Sequence, residues 1–518
     1  MLYQLSYASR NGNTILARRS RRFHAPPIAP TCAADSIYST SPMSHYLAID
    51  LGAESGRVML GRLAGGKLSL EELHRFPNTP VRLPTGLYWD SFRLFHEIVR
   101  GLSIAGRERK LRVQGIGIDA WGVDFGLLAP DGSLVDNPRH YRDERTNGIP
   151  EKLFQIVPRS EIFERTGIQF MPINSLYQLY AMRLAEAPAL RVASELLFMP
   201  DLFNYWLTGV RRTERTIAST SQFYNPRTKQ FETEIFRRLR IPPALLPQII
   251  DPGALLGALL PHIAAETQLG DAPVYATAAH DTASAVAAVP ASGNEWCYIS
   301  SGTWSLMGVE TDRPVITPRA LELNYTNEVG AGDRIRLLKN IAGMWLLQEC
   351  RRAWSAEGQE FSYDELIRLA SDAGPAKAHI DPDAFLHPGD MPRKIQDYCR
   401  RRNLPPPESA GEVCRLILES LARRYKEVAD NLEELTGRPV RVIHIVGGGS
   451  RNALLNQLAA DVTGRAVVAG PAEATAAGNI LVQAIGAGEL SGLEEARAIV
   501  RASFHPEVFE PRPAAARI

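Results

Sequence analysis

Asp50-Leu51-Gly52-Ala53-Glu54-Ser55-Gly56-Arg57 joins two apolar runs, Tyr46–Asp50 and Val58–Leu63. Two strand-like runs joined by a small-residue loop read as a β-hairpin. The glycines of the loop let backbone N–H groups close on a bound anion. Asp50, at the strand end, suits Mg²⁺, which takes one or two carboxylates and keeps several waters. The same arrangement returns near residue 300, where Ser301-Gly302-Thr303-Trp304 separates the runs Trp296–Ser300 and Ser305–Val309. Two anion-type hairpins in one chain predict two α/β halves, and a cleft between such halves is a common ligand site. The boundary is placed near Pro290-Ala291-Ser292-Gly293, giving segments 43–290 and 291–505 with a tail over 506–518.

Working outward, Gly115–Asp119 and Val123–Leu128 flank Ala120-Trp121-Gly122 and read as a further hairpin, closed by the turn Pro130-Asp131-Gly132. Trp121 could face a sugar ring, and Asp119 or Asp124 could accept hydroxyl hydrogen bonds. Tyr141-Arg142-Asp143-Glu144-Arg145 is either an exposed charged loop or one that meets substrate or forms ion pairs. From about 150 to 245 apolar residues recur at helical spacing, with helices expected around Asn174–Tyr180 and Asp201–Leu207. Pro273–Ala278 predicts a strand leading into His280-Asp281-Thr282 and a helix of small residues. Asp281 there is either a helix N-cap or a general base, since both roles favour an Asp at a helix start. Val440–Val446, Gly447-Gly448-Gly449-Ser450-Arg451-Asn452 and the helix Ala453–Thr463 form a strand, Gly-rich turn and helix suited to a nucleotide. A second small-residue helix follows Gly470–Thr475.

Composition limits the alternatives. The 518 residues exceed one ordinary domain. A net charge of +1 gives no electrostatic drive toward nucleic acid or an anionic membrane. No run approaches the roughly 18 apolar residues of a membrane span. No G-x-x-x-x-G-K-[ST] motif is present, and the Gly447 turn lacks the dinucleotide-binding G-x-G-x-x-G pattern, which argues against a P-loop protein and a dehydrogenase. A sugar-sensing regulator would need a DNA-binding element, and the Pro-rich segment 1–42 has no helical pattern to supply one. That segment, with five Arg and no Lys or Glu, is expected to be a disordered extension or a start-site artefact. The five cysteines include no C-x-x-C pair and read as free thiols, with a Cys399–Cys414 bridge left open.

Together, Asp50–Arg57, His280-Asp281-Thr282, Ser300–Ser305 and Gly447–Asn452 resemble the motifs of the FGGY carbohydrate kinases. That resemblance implies two ribonuclease-H-like domains of the actin-like ATPase fold flanking a central cleft. Gly117–Phe125, Gly167–Pro172, Leu338–Ile341 and Trp345–Gln348 resemble the branch of the family that acts on L-rhamnulose. The implied reaction is phosphorylation of that ketose at its 1-hydroxyl by ATP with Mg²⁺, in the cytoplasm, by a monomer or homodimer. The resemblance implies ATP contacts from Ala53, Glu54, Ser55, Gly56, Arg57, Thr303, Gln348 and Gly448. It implies sugar contacts from Gly122, His280, Asp281, Thr282 and Asn340, with Asp281 as the proton acceptor and Asp50 in the metal shell. Met171-Pro172-Ile173-Asn174-Ser175 lacks the Lys found in many of these kinases, which argues against glycerol or xylulose as substrate. Glu54 stands where a small residue is common, and beside phosphates it must point away.

Overall fold

A computed structural model describes residues 43–513. The reading of segment 1–42 therefore lies outside the described residues. The quoted loop joins β1 (Ser44–Leu51) and β2 (Ser55–Ala64), which pair antiparallel with Asp50 opposite Arg57. With β3 (Lys67–Pro77), β4 (Gly115–Ala120), β5 (Ala254–Ala258) and β6 (Pro273–Ala276), they form a sheet in the order β5-β6-β4-β1-β2-β3. A second sheet holds β7 (Trp296–Ser301), β8 (Ser305–Thr311), β9 (Thr326–Val329), β10 (Ile335–Ile341), β11 (Val442–Val446), β12 (Ala466–Ala469) and β13 (Glu507–Phe509). Its order is β9-β10-β8-β7-β11-β12-β13.

The two sheets repeat one plan. In each, the first strand pairs antiparallel with the second and parallel with a later strand, β1 with β4 and β7 with β11. The parallel strands β1, β4 and β11 are mostly buried apolar runs, as strands covered on both faces require. The second sheet extends past residue 505, because Val467 pairs with Phe509 across β12 and β13.

Seven helices matter for the site: α1 (Ser175–Leu184), α2 (Met199–Thr208), α3 (Asp281–Ala287), α4 (Trp345–Ala356), α5 (Ala410–Thr436), α6 (Ala453–Thr463) and α7 (Ala474–Gly486). Asn174 precedes α1, and Gly209 ends α2 in the left-handed conformation that glycine adopts without strain. The two helices of small residues, α3 and α7, pack on each other. A Cβ built on Gly478 of α7 would lie 1.7 Å from the Ser284 carbonyl oxygen of α3, so only hydrogen fits there. Asn479 and Gln483 of α7 also donate to the first sheet, at the Gly117 and Leu47 carbonyls. The helix from the end of the chain thus completes the layer over its beginning.

The expected hairpin at Ala120-Trp121-Gly122 is absent. Gly115–Ala120 stays in the first sheet, whereas Phe125–Leu128 pairs with Leu134–Asp136 and Glu195–Phe198 in a separate three-stranded sheet. The cause is a buried node. Asp124 Oδ2 accepts from Trp89 Nε1 (2.6 Å), Trp121 Nε1 (3.0 Å) and Tyr141 N (3.1 Å), and Oδ1 accepts from Gln178 Nε2 (2.9 Å). Collecting these donors turns the chain out of the sheet at Val123, which takes φ 69°. Left-handed backbone at a β-branched residue is costly, and Val123 N to Thr220 Oγ1 (3.0 Å) helps to hold it. Asp124 is therefore a fully buried structural acceptor and not a sugar ligand, and burial pushes its carboxyl up to about 6.

The Tyr141–Arg145 loop is tied down. Arg142 lies over the Trp345 ring at 3.7 Å and donates to the Leu386 carbonyl, while Arg145 donates to Gln178. Cys297, Cys350, Cys399 and Cys414 are buried free thiols, so Cys399 and Cys414 do not pair.

Candidate active site

A cleft of about 750 Å³ is lined by both halves of the chain. Its size suits a small-molecule site. The first hairpin contributes Asp50, Ala53, Glu54, Ser55 and Arg57, and the second contributes Thr303. Gly122, His280, Asp281, Thr282, Asn340, Gln348 and Gly448 also line it. Gly56 is the one expected site residue that does not. A Cβ there would meet the Phe76 ring, so its small size serves packing beneath the loop.

The Gly-rich turn folds onto the second hairpin. A Cβ on Gly449 would lie 2.0 Å from Ser301 Oγ, and one on Gly447, at φ 84°, would lie 2.9 Å from the Ser301 carbonyl. Bare backbone from two loops therefore meets at the cleft wall, where N–H groups can receive phosphate oxygens. Glu54 lines the cleft, but its carboxylate pairs with Arg352 of α4 at 2.7 Å. The Arg57 guanidinium is engaged as well, donating to Asp50 Oδ2 and to Glu473.

Asp50 fits an oxygen-donor cation site in part. It lies at the strand end on the cleft wall, and both Arg57 contacts fall on a single carboxylate oxygen. Among the described residues no group of three or more His, Cys, Asp or Glu side chains could hold a metal ion by itself. A Mg²⁺ ion at Asp50 would thus be completed by phosphate oxygens and water, its usual company.

Asp281 is the first residue of α3. His280 is the N-cap residue and makes no side-chain cap bond, so Asp281 is not the capping residue. Its side chain, 31% exposed, reaches the cleft. Desolvation, with Asp50 adding repulsion and His280 opposing, raises its pKa above the ordinary carboxylate value. That shift moves a base toward operating pH. The backbone that carries it is pinned: Ala120 N donates to Ala279 O, Ala279 N to Glu214 Oε2 and His280 N to Thr216 Oγ1. Asp119 is opposite Asp50 in the parallel register of β1 and β4. It is fully buried, receives Asn479 Nδ2 at 2.6 Å and does not line the cleft, so it is not a sugar ligand either. Burial and the neighbouring Asp50 hold its pKa well above normal.

Glu214 leads to a test of the pinned loop. Its buried carboxylate accepts from Thr216 N (2.8 Å), Ile217 N (3.2 Å), Ala279 N (3.1 Å) and the Thr216 hydroxyl. Burial pushes its carboxyl from 4.5 up to about 7. A raised folded value means the folded state keeps the proton more tightly. The associated stability is complete below pH 4.5 and lost as pH rises through 7. Between pH 4 and 8, wild type should lose about 3 kcal/mol relative to Glu214→Gln. Denaturant melts of both proteins across that range measure it, and a pH-independent difference contradicts the assignment.

Sequence reasoning did not single out Gln169, Thr220, Tyr363 or Asp364, all of which line the cleft. Gln169 Oε1 receives the Asn340 backbone N–H (2.9 Å) and side-chain amide (3.1 Å), joining the two halves at the pocket. Its place in Gly167–Pro172 was the available signal. Tyr363 and Asp364 begin an ordinary surface-patterned helix, and nothing local marks them.

The chain belongs to the FGGY family of carbohydrate kinases: residues 45–288 match its N-terminal domain and 297–487 its C-terminal domain. Within that family it is similar to curated proteins named rhamnulokinase. The one from Bacteroides thetaiotaomicron is 46% identical over 474 residues, covering 91% of this chain and 97% of the relative. The one from Enterococcus faecalis is 42% identical over 473 residues, covering 90% and 94%. Among solved structures, gluconate kinase from Lactobacillus acidophilus superposes with a TM-score of 0.74 at 17% identity, covering 91% of this chain and 94% of that one. Xylulose kinase from Rhodospirillum rubrum gives 0.72 at 20%, covering 91% and 95%. These structures establish the expected fold, two actin-like ATPase domains with a cleft between them. No helix among the described residues is long and apolar enough to cross a membrane.

Proposed function

We propose that the protein transfers the γ-phosphoryl group of ATP to the 1-hydroxyl of L-rhamnulose, giving L-rhamnulose 1-phosphate and ADP, in the cytoplasm as a monomer or homodimer. The observation that carries this reading is the position of Asp281, a raised-pKa carboxylate in a cleft that Gly-rich loops from both halves also line. The name borne by the curated relatives supports the choice of sugar.

In this reading the sugar lies beside Trp121, Gly122 and Asn340, with its 1-hydroxyl against Asp281. The sugar oxygen forms its bond to the γ-phosphorus as the bond from phosphorus to the leaving ADP oxygen breaks, and the hydroxyl proton passes to Asp281. Such reactions gain most from positioning and charge stabilisation. Backbone N–H groups of Ala53, Ser55, Thr303 and Gly448 hold the phosphates in line, with Gln348 nearby. A Mg²⁺ ion at Asp50 would neutralise charge on the phosphates. The division of labour near residue 290, sugar to the first half and nucleotide to the second, belongs to the same proposal. So does closure of the halves to exclude water, which competes as acceptor.

A coupled ADP-release assay across ketoses and polyols tests it. L-rhamnulose should give the highest kcat/KM of the panel. Best activity on glycerol or D-xylulose would overturn the sugar and leave the kinase reading standing.

A further inference from the structure

Beside Asp281 lies a buried charged group that the proposed transfer step does not use directly, although one member, Glu328, also lines the cleft. Glu328 on β9 and Arg336 on β10 face each other in antiparallel register. Arg336 is fully buried and Glu328 is 4% exposed. Arg336 Nη2 lies 3.1 Å from Glu328 Oε2 and 3.0 Å from His280 Nδ1, and Glu328 Oε2 lies 3.2 Å from the same ring nitrogen. The far edge of the ring, Nε2, is 3.4 Å from Asp281 Oδ1. Thr282 Oγ1 donates to that same oxygen at 3.1 Å.

We propose that Glu328 and Arg336 are positioning residues that fix the His280 ring with a proton on Nε2 aimed at Asp281. This rests on the reading of Asp281 as the base. Arginine can only donate, and an ionised carboxylate can only accept. The Arg336 guanidinium and His280 hold Glu328 below the usual carboxylate range despite its burial. If Nδ1 accepts from Arg336, the single proton of a neutral ring sits on Nε2. If Nδ1 instead donates to Glu328, a neutral ring would turn its Nε2 lone pair toward the Asp281 carboxylate, and only the imidazolium avoids that repulsion. In both favourable states Nε2 carries hydrogen.

The consequence for the base is specific. His280 and Thr282 both engage Oδ1, which leaves Oδ2 as the oxygen for the sugar hydroxyl. The other charges near Asp281 are Asp50 from β1, which raises its pKa while His280 lowers it, and Asp119 from β4, whose own pKa Asp281 helps to raise. Asp281 and His280 belong to the first half of the chain, and Glu328 and Arg336 to the second. The orientation of the base therefore depends on residues from both halves of the chain.

The test compares wild type with Glu328→Gln and Glu328→Asp in the full-length protein, with Asp281→Asn measured in parallel. Glu328→Asp keeps the countercharge for Arg336 and shortens the reach to His280, so it carries the test if the neutral variant fails to fold. Both variants should lose about 10- to 100-fold in kcat with KM for the sugar changed less than threefold. Their kcat acid limb should move about one unit to higher pH, because the Asp281 carboxylate loses its donor. A raised sugar KM with an unmoved pH profile would make Glu328 a direct sugar contact and overturn the proposal. Long-range ¹H–¹⁵N spectra, with His280 assigned through His280→Gln, should show protonated Nε2 in wild type and a changed protonation pattern in the Glu328 variants. An Nε2 without hydrogen in wild type overturns it as well. If Asp281→Asn keeps its activity while the spectra behave as expected, the base reading fails and the ring clamp stands.

Discussion

Asp281→Asn should lower kcat about 10³-fold while leaving the fold and nucleotide binding intact. General bases contribute about 10²- to 10⁴-fold, and the amide retains the shape of the carboxylate without its ability to take a proton. A structural role predicts the opposite pattern. Asp281 is not the cap of α3, and its carboxylate gathers Thr282 Oγ1 (3.1 Å), the Thr282 backbone and the His280 edge. Its charge adds to repulsion within a group that includes Asp50 and Asp119. The variant should therefore melt no lower than wild type, and removing one of three acids should raise the melting temperature slightly. Steady-state kinetics on L-rhamnulose, a nucleotide-binding titration and a thermal melt decide it. A variant with near-wild-type kcat removes Asp281 from the chemistry.

Gly478→Ala should be the most damaging glycine-to-alanine change among the described residues. The site is a helix interior, where alanine is intrinsically the better residue by about 1 kcal/mol. Tertiary packing reverses that preference. The new Cβ would sit 1.7 Å from the Ser284 carbonyl oxygen and 2.6 Å from its carbon, atoms of backbone that no rotamer change can move. Helices α3 and α7 must separate, at a cost of about 3 kcal/mol. Because α3 begins at Asp281, the separation also displaces the proposed base, and a shift near 1 Å at a reacting group costs about 10²-fold in rate. Lower melting temperature together with lower kcat is the expected result. Wild-type values for both would show that the crossing has slack the geometry denies.

Much of this was written locally. The two hairpins, Asp50–Arg57 and Ser301–Ser305, were legible because two apolar runs flanking a short loop of small residues leave few other folds. Helix α6, Ala453–Thr463, falls where its pattern placed it. Thirteen of the expected site residues line the cleft, and most of them were named by the family resemblance and not by local side-chain chemistry. The misreading at Val123–Leu128 has an identifiable source. An apolar run after Trp121 looks the same whether it returns along its neighbour or leaves the sheet, and Asp124 looks like a ligand until its four donors are in place.

Local signals marked the two α/β halves, the small-residue hairpin loops and the acid at the start of α3, because apolar runs, turn chemistry and motif order are local properties. Which acids face the cleft depends on tertiary packing. Asp50 and Asp119 share a register position, yet just Asp50 lines it. It also decided that Glu54 is drawn off by Arg352, that α3 and α7 meet without room for a methyl group, and that Glu328 and Arg336 stand behind His280. These are contacts between residues far apart in the chain, set by how two sheets and their helices pack, and no periodicity in the sequence encodes a distance.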